Sequence, residues 1–338
     1  MEISKERDDR CCHEKKCWSE LRGVVSEFRR RLSSASDGSV PDAVTFRSLP
    51  DGRIRIYFLG TPSNGWETTL LYVDVGQCDQ VNQGSKLHWQ QVIEANFQSV
   101  SSANRLSREE QLLWERKRLT TWGITSYELH PDSGKLIFPA VSSLYQCVDS
   151  GFGPGPLFPS ELRISTPGAK LCPQICPWNG SLVAYTCAGD IHLSHLITGS
   201  SVRLTHARKG GKSLADDPLT AGTPSYVMQE EFTRYIGFWW QPKSTDGIYR
   251  IVYEEVDESD VKIFCFPSST LNSGEIDEFR FPRAGALNAK SNLKMVQFRL
   301  TDTLQIIDIE ILELQYPLHT MFPWMEYLVR VGWTPDAH

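Results

Sequence analysis

The residues best suited to chemistry are two adjacent glutamates, Glu230 and Glu231, which precede an aromatic run that ends in a tryptophan pair. Adjacent carboxylates repel each other, and partial burial would shift their pKa values unless a cation stood between them. A pair at the edge of a cavity is therefore suited to bind an ammonium group. A solvated acidic turn is the ordinary alternative, because charged side chains are mostly exposed.

No other set of residues forms a self-contained active site. A hydrolase nucleophile of the α/β type needs a Gly-x-Ser-x-Gly elbow, and the chain contains no such pentapeptide. The nearest sequence, Gly211-Lys212-Ser213, also fails as a phosphate-binding loop, because His206 stands where that motif needs its first glycine. We therefore predict no catalytic residue in this chain.

Cysteines and histidines supply the candidates for a metal site. The candidate groups are Cys11-Cys12-His13 with Cys17, Cys172 with Cys176, and His192 with His195. The cysteine groups lack the paired Cys-x-x-Cys halves that close a tetrahedral zinc site. The two histidines are expected to share one face of a strand, but no third ligand is near them in the sequence. We expect free thiols, no metal and no cofactor.

The composition is typical of a soluble globular protein, with 40% hydrophobic and 22% charged residues. A net charge of −6 offers no basic surface for nucleic acid. No apolar run is long enough to span a membrane, and the polar segment 1–16 lacks the apolar core of a signal peptide. We expect a cytoplasmic protein that binds neither nucleic acid nor membranes.

Two patterns organise the N-terminal part of the chain. Residues 16–33 are predicted to form an amphipathic helix, because apolar side chains recur at intervals of three and four. A small polar stretch follows, so we place an N-terminal extension at 1–45. Residues 53–58 and 68–75 are rich in β-forming side chains and are predicted to pair as strands.

A helical insert is predicted at about 85–120. Its N-terminal part carries four apolar side chains on one predicted helical face, Trp89, Val92, Ile93 and Phe97. Further along, Ser107 followed by Glu110 has the form of a capping box, which marks a helix start. Arg118 ends a charged sequence at the close of the insert. Taken alone, a basic residue there is typical of compensation for the helix dipole.

From residue 124 the pattern is one of short strands and turns with a weak internal repeat. Leu136-Ile137-Phe138 and Leu182-Val183-Ala184-Tyr185 each lead through a tight turn to a second strand, at an offset of about 46 to 48 residues. This spacing is near the blade length of β-propellers. We predict a mostly β fold, with an incomplete β-propeller at 46–338 that carries the helical insert.

Later strands and one acidic cluster complete the predicted pattern. The strand candidates are 235–240, 249–256, 261–267, 294–300 and 305–312. The cluster, expected to be a solvated hairpin end, comprises Glu254, Glu255, Asp257, Glu258 and Asp260.

Residues 230–242, Glu-Glu-Phe-x-Arg-Tyr-x-Gly-Phe-Trp-Trp-x-Pro, resemble the double-glutamate motif of the dipeptidyl peptidase IV family of prolyl oligopeptidase-type serine peptidases. Within that family the intracellular dipeptidyl peptidases 8 and 9 are the most similar branch. The stretch from Glu109 through Arg118 to Tyr127 also resembles the corresponding part of this branch. The resemblance implies that Glu230 and Glu231 bind the free α-amino group of a peptide, and that Arg118 hydrogen-bonds its carbonyl groups.

The resemblance covers nearly the whole chain, yet family members are more than twice as long. They continue into a C-terminal α/β-hydrolase domain with serine, aspartate and histidine, which is absent here. The resemblance implies that this chain is the N-terminal portion of a cytosolic enzyme that releases Xaa-Pro and Xaa-Ala dipeptides. The implied partners are peptides with a free N-terminus, the family hydrolase domain of a longer form, and a second copy in a homodimer. The alternative is a non-catalytic interaction module, because an incomplete propeller exposes strand edges.

The absence of a nucleophile elbow leads to a first prediction. The purified 338-residue chain is expected not to hydrolyse a Gly-Pro chromogenic amide, because acyl transfer needs an activated nucleophile. Release of the chromophore is the measurement. Turnover that a serine-directed inhibitor abolishes would place the chemistry in residues that the sequence pattern does not mark.

Overall fold

A computed structural model describes residues 17–35, 40–62, 65–76, 89–94, 106–140, 143–153, 155–211, 215–267 and 276–334. The chain divides into two units, Met1–Val40 and Pro41–His338. The first unit contains the helix α1 (Trp18–Ala35), which confirms the predicted helix. Trp18 and Phe28 on its apolar face are 78% and 68% exposed. No helix within the described ranges is long and apolar enough to cross a lipid bilayer.

The first half of the second unit consists of three four-stranded antiparallel sheets, in each of which neighbouring strands follow the chain order. The first sheet comprises β1 (Asp42–Ser48), β2 (Ile54–Gly60), β3 (Thr69–Val75) and β4 (Gln90–Gln91). After α2 (Arg108–Arg116), the second comprises β5 (Glu128–His130), β6 (Lys135–Ala140), β7 (Ser143–Val148) and β8 (Ser160–Glu161). The third comprises β9 (Leu171–Cys176), β10 (Asn179–Cys187), β11 (Asp190–His195) and β12 (Ser201–Arg203).

The second half contains a larger sheet and a separate hairpin. Its elements are β13 (Leu219–Ala221), α3 (Tyr226–Glu230), β14 (Phe238–Trp240), β15 (Tyr249–Asp257), β16 (Ile263–Pro267), β17 (Ile276–Arg280), β18 (Lys290–Leu300), β19 (Ile306–Glu313) and α4 (Leu318–Met321). Strands β13, β14, β15, β18 and β19 form the fourth sheet, in which β15 is central. Strands β16 and β17 pair with each other as a hairpin.

Consecutive sheets pack face to face through apolar side chains. Tyr57, Leu70 and Phe138 belong to the core between the first and second sheets. Val183 and Tyr185 belong to the core between the second and third sheets. The core between the third and fourth sheets includes Leu193, Phe238 and Ile251. This succession of packed meander sheets confirms the predicted mostly β fold with a partial β-propeller.

The internal repeat in the sequence corresponds to equivalent strands of two blades. Strands β6 and β7 of the second sheet match β10 and β11 of the third. The turn between β10 and β11 needs two left-handed residues, Ala188 and Gly189, with φ of +50° and +77°. Such a turn twists in the sense that a two-residue hairpin requires. A Cβ on Gly189 would also lie 2.9 Å from the Nε of Arg208, which explains the glycine.

The prediction of a helix over the first part of the insert is wrong. Gln90 and Gln91 form strand β4, and the backbone N–H of Val92 donates to the carbonyl oxygen of Leu70. Ile93 pairs with Leu157 in an isolated bridge. The spacing of apolar residues in a short run is compatible with a helix or with a strand. Pairing with β3 makes this run extended. Phe97 lies outside the described residues, whereas α2 confirms the helix at the end of the insert.

The prediction that the acidic cluster at 254–260 is a solvated hairpin end is wrong for Glu254 and Glu255, whereas Asp260 lies in an exposed turn after β15. Glu254 and Glu255 lie within the central strand β15, and Glu254 is completely buried. Glu254 pairs with Arg234 at 2.7 Å, and Glu255 pairs with Lys294 at 2.9 Å. Partners from distant segments neutralise these carboxylates, and a local sequence pattern cannot show such partners.

A buried charge network joins the first two blades. Arg55 of β2 donates to Asp149 at 2.8 Å and to Asp74 at 2.7 Å. Asp149 also accepts from the Tyr57 hydroxyl and from the backbone N–H of Gly151, each at 2.7 Å. Burial acts to raise the pKa of Asp149, but these hydrogen bonds outweigh it and hold the pKa below its usual range. The network therefore stabilises the charged carboxylate inside the fold.

Removal of the Asp149 carboxylate is expected to destabilise the fold. Asp149→Ala removes one of the two carboxylates that pair with the buried Arg55 guanidinium. Removal of one partner from a buried ion pair lowers the free energy of unfolding by about 3–5 kcal/mol. Because the folded pKa of Asp149 is depressed, its contribution is present above the unfolded pKa and fades as the pH falls through the folded one. Urea unfolding at pH 7 and at a series of pH values below about 4 measures both effects.

The matched control is Asp302→Asn, which removes one charge from an exposed turn between β18 and β19. We expect it to change the free energy of unfolding by less than about 0.5 kcal/mol. Equal stabilities for both variants at pH 7 would contradict a stabilising role for the network.

Candidate functional site

The double glutamate lies at the C-terminal end of the short helix α3. Ser225 is the N-cap, and its hydroxyl oxygen accepts a hydrogen bond from the backbone N–H of Met228. Glu230 is the last helical residue and Glu231 is the C-cap, whose N–H donates to the carbonyl oxygen of Val227. The sequence pattern predicted only the strand that follows, because a five-residue helix is too short to show a period.

Arg118 follows helix α2 directly. Ser107 and Glu110 form the predicted capping box, with each side chain accepting from the backbone N–H of the other. Lys117 is the C-cap, and Arg118 then adopts a left-handed backbone conformation with φ of +52°. That conformation costs about 1–2 kcal/mol for a residue with a side chain, so its surroundings must hold it there. The helix therefore ends directly before Arg118.

The ends of α2 and α3 meet although they are far apart in the sequence. Nη2 of Arg118 lies 3.6 Å from Oε2 of Glu230. Nη1 of Arg116 donates to the side-chain oxygen of Gln229 at 3.1 Å, across a sequence separation of 113 residues. The Tyr235 hydroxyl donates to the carbonyl oxygen of Arg116 at 3.1 Å. Two of the three predicted site residues are thus in contact, and the third follows Glu230 in the chain.

The contact between Arg118 and Glu230 is weak. The Arg118 side chain is 82% exposed and that of Glu230 is 20% exposed. An ion pair with such an exposed partner contributes at most about 1 kcal/mol. Glu231 is exposed beside it, and the last carbonyl groups of α3 add partial negative charge. The site can therefore exchange the guanidinium for another cation at small cost. The binding role of these three residues stays a prediction.

Arg116 and Tyr226 give the site a partly buried floor. The Arg116 guanidinium lies 5.3 Å from the centroid of the Tyr226 ring. Burial lowers the pKa of Arg116, against the opposing charges of Glu258 and Glu230. Burial also raises the pKa of Tyr226, and Glu230 adds to the rise, so this phenol stays neutral. The floor therefore presents one fixed positive charge and one neutral ring.

Arg234 fixes the segment that follows the glutamates, and the sequence analysis assigned it no role. Its guanidinium pairs with Glu254 at 2.7 Å and donates to the carbonyl oxygens of Ile236 at 3.0 Å and Leu328 at 2.9 Å. Arg234 is 7% exposed. Its place inside the double-glutamate motif was the only available signal, since Glu254 and Leu328 are far from it in the sequence.

A cavity of about 390 Å³ lies on another side of α2. Leu113, Trp114 and Lys117 line it from the helix, and Tyr235 lines it from the segment after α3. Glu128 of β5 faces the same space, and burial raises the pKa of its carboxyl group to about 7. Perturbed acids in cavities are candidate functional groups. Sequence reasoning missed Glu128, because a single acidic residue in a strand shows no burial by itself.

The other candidates from the sequence do not form a site. His192 and His195 cannot share a strand face, because positions three apart on β11 point to opposite sides. Cys172 and Cys176 are free thiols. No group of three potential metal ligands exists among the residues that the structure describes. Cys11, Cys12 and His13 lie outside the described residues.

Three packed meander sheets, a larger fourth sheet and a glutamate pair at the end of α3 define the class: a β-propeller region with adjacent carboxylates at a helix end. The family model of the dipeptidyl peptidase IV (DPP IV) N-terminal region matches residues 159–338. The chain therefore belongs to the dipeptidyl peptidase IV family and corresponds to its N-terminal region. This result confirms the resemblance that the double-glutamate motif indicated.

Two relatives extend the similarity to nearly the whole chain. Dipeptidyl peptidase 8 of Mus musculus is 34% identical over 336 residues, and the Homo sapiens protein is 35% identical over the same length. Each match covers 96% of this chain but 37% of the relative, so the chain spans little more than a third of their length. The solved structure of Porphyromonas gingivalis dipeptidyl peptidase 4 aligns with 85% of this chain and 35% of its own, at 15% identity and a TM-score of 0.47.

The raised pKa of Glu128 has a consequence for stability. Between the ordinary value of 4.5 and about 7, the folded state keeps a proton that the unfolded state releases, so this group lowers stability as the pH rises. Glu128→Gln removes that effect. We expect the variant to match the wild-type chain at pH 5 and to exceed it by about 1–3 kcal/mol at pH 8.

Urea unfolding at pH 5 and pH 8 measures this difference, with Asp302→Asn as the exposed-charge control. Parallel pH dependence in the wild-type and Glu128→Gln chains would show that Glu128 titrates normally.

Proposed function

We propose that this chain is the N-terminal propeller portion of a cytosolic serine-type dipeptidyl peptidase that releases Xaa-Pro and Xaa-Ala dipeptides. In this proposal Glu230 and Glu231 bind the α-ammonium group of the substrate, and Arg118 orients its backbone carbonyl groups. Family membership and the similarity to dipeptidyl peptidase 8 support the assignment.

The observation that carries the proposal is the exposed 3.6 Å contact between Arg118 and Glu230. A peptide N-terminus presents an ammonium group and, a few bonds away, carbonyl oxygens. The ammonium group replaces the guanidinium beside Glu230, and the carbonyl oxygens accept hydrogen bonds from the displaced guanidinium. Hydrogen bonds to charged groups contribute about 1.5–3 kcal/mol each, which exceeds the exposed ion pair that they replace.

Such a clamp also measures length along the peptide. Once the ammonium group is fixed, the second peptide bond lies at a set distance from the glutamates, so an enzyme built on this clamp removes two residues. An acetylated N-terminus has no positive charge, and its binding would leave both carboxylates desolvated without a partner. The clamp therefore selects free N-termini.

Peptide cleavage requires groups beyond those that this chain contributes. Acyl transfer needs a serine nucleophile, a histidine base with its aspartate, and an oxyanion hole. In the proposal these come from the α/β-hydrolase domain of a longer form, while the propeller portion supplies positioning. The relatives of known sequence have room for such a domain, since the chain matches 37% of their length.

A second function, a protein-interaction module, is favoured by one observation. Ile307, Ile309 and Ile311 on strand β19 are 38%, 38% and 42% exposed. In the described part of the chain, β19 pairs with β18 alone. A free edge with apolar side chains is suited to contact another protein or a second copy. This role needs no free peptide N-terminus.

Calorimetric titration of the 338-residue chain with the peptide Ala-Pro-Ala-Phe amide tests the clamp. We expect binding that N-acetylation of the peptide abolishes. Glu230→Gln and Glu231→Gln are each expected to weaken binding at least tenfold, because each removes a charge-assisted hydrogen bond worth about 1.5–3 kcal/mol. Arg118→Met is expected to weaken it less.

Asp302→Asn serves as the charge-matched control and should bind like the wild-type chain. Equal affinity for the free and acetylated peptides would overturn the clamp and favour the interaction module.

A further inference from the structure

Helix α2 separates the cavity from the Glu230 site. Glu110, Leu113, Trp114 and Lys117 recur at three and four residues, and all line the cavity. The side chain of Arg116 instead reaches α3. A molecule in the cavity and a peptide at the clamp therefore contact different faces of the same helix.

The cavity walls suit an apolar body that carries a positive charge. Trp114, Tyr127, Tyr235 and Trp239 line the cavity together with aliphatic side chains. A volume of about 390 Å³ is in the range of small-molecule sites. Aromatic faces attract cations, and the ammonium of Lys117 already lies 5.3 Å from the centroid of the Tyr235 ring.

Glu128 is the acid in this cavity for which the described residues provide no partner. Glu110 also faces the cavity, but its carboxylate accepts from the backbone N–H of Ser107 in the capping box. For the side chain of Glu128, the described part of the chain provides neither a hydrogen bond nor an ion pair. A half-buried carboxylate without a partner carries a desolvation cost, which makes it suited to pair with a cation from outside.

In the described part of the chain, none of the other titratable groups that line the cavity forms an ion pair with Glu128. Besides Glu110 and Glu128, the groups that line the cavity are Lys117, Tyr127, Lys170, Cys172, Arg234, Tyr235 and Arg330. Lys170 and Arg330 donate to backbone carbonyl oxygens, and Arg234 pairs with Glu254. Burial raises the pKa of the Cys172 thiol, so it stays neutral.

We propose that this cavity binds an arylalkylammonium ion, a small organic cation with an apolar body. Its ammonium group pairs with Glu128, and its ring packs among the tryptophan and tyrosine side chains. This site is independent of the proposed peptide clamp. It requires neither Glu230 nor a hydrolase domain.

The pH dependence of binding follows from the proton on Glu128. Near pH 6 the carboxyl group is mostly protonated in the free chain, because burial raises its pKa to about 7. A bound ammonium group favours the carboxylate, so binding displaces a proton. The affinity therefore rises between pH 6 and pH 8, while an aliphatic amine stays protonated throughout this range.

Calorimetry with phenethylamine tests the proposal, with 2-phenylethanol and 3-phenylpropanoate as the neutral and anionic matched compounds. We expect phenethylamine alone to bind, with an affinity that increases about tenfold from pH 6 to pH 8. Measurements in two buffers of different ionisation enthalpy should reveal proton release near pH 7. Glu128→Gln is expected to lower the affinity at pH 8 at least tenfold.

Cross-variants separate this site from the clamp. Glu230→Gln should bind phenethylamine like the wild-type chain, and Glu128→Gln should bind Ala-Pro-Ala-Phe amide like the wild-type chain. Absence of phenethylamine binding, equal binding of the neutral alcohol, or full affinity in Glu128→Gln would each overturn the proposal. If only the clamp proposal fails, the chain will bind the free and the acetylated peptide equally well and will still bind phenethylamine.

Discussion

The ion pair between Arg234 and Glu254 is almost completely removed from water, and the position of the double glutamate depends on it. Glu254 belongs to the central strand of the fourth sheet, and Arg234 belongs to the segment just after α3. The same guanidinium also donates to the carbonyl oxygens of Ile236 and Leu328, so it joins three parts of the chain. Because loss of either partner leaves a buried charge, typically at a cost of about 3–5 kcal/mol, this geometry tolerates little change.

Helix α2 relates the clamp to the cavity, because it contributes a wall to each. Its C-terminal residues contact α3 through the hydrogen bond between Arg116 and Gln229. Its other face closes the cavity around Glu128. Tyr235 contacts both the helix and the cavity, since its hydroxyl donates to the carbonyl oxygen of Arg116 and its side chain lines the cavity. A shift of α2 would therefore change both proposed sites at once.

The sequence predicted those elements whose pattern is local. Strands β2, β3, β10 and β15 follow from β-forming runs, and the capping box of α2 follows from Ser107 and Glu110. The predictions failed where a long-range partner decided the structure. Val92 and Ile93 fit a helical face, but pairing with Leu70 and Leu157 made them extended. The acidic cluster looked solvated, yet Arg234 and Lys294 approach it from other segments.

For the candidate site, the sequence alone determined which residues carry charge. The resemblance to a family motif then identified Glu230, Glu231 and Arg118 as the candidate site residues. It also determined the blade repeat, because strand and turn preferences act over a few residues. Only the tertiary structure decided that Arg118 and Glu230 meet at the ends of two helices, and that Glu128 lines a cavity. Burial and the approach of distant charges depend on packing between blades, and no local pattern of residues specifies them.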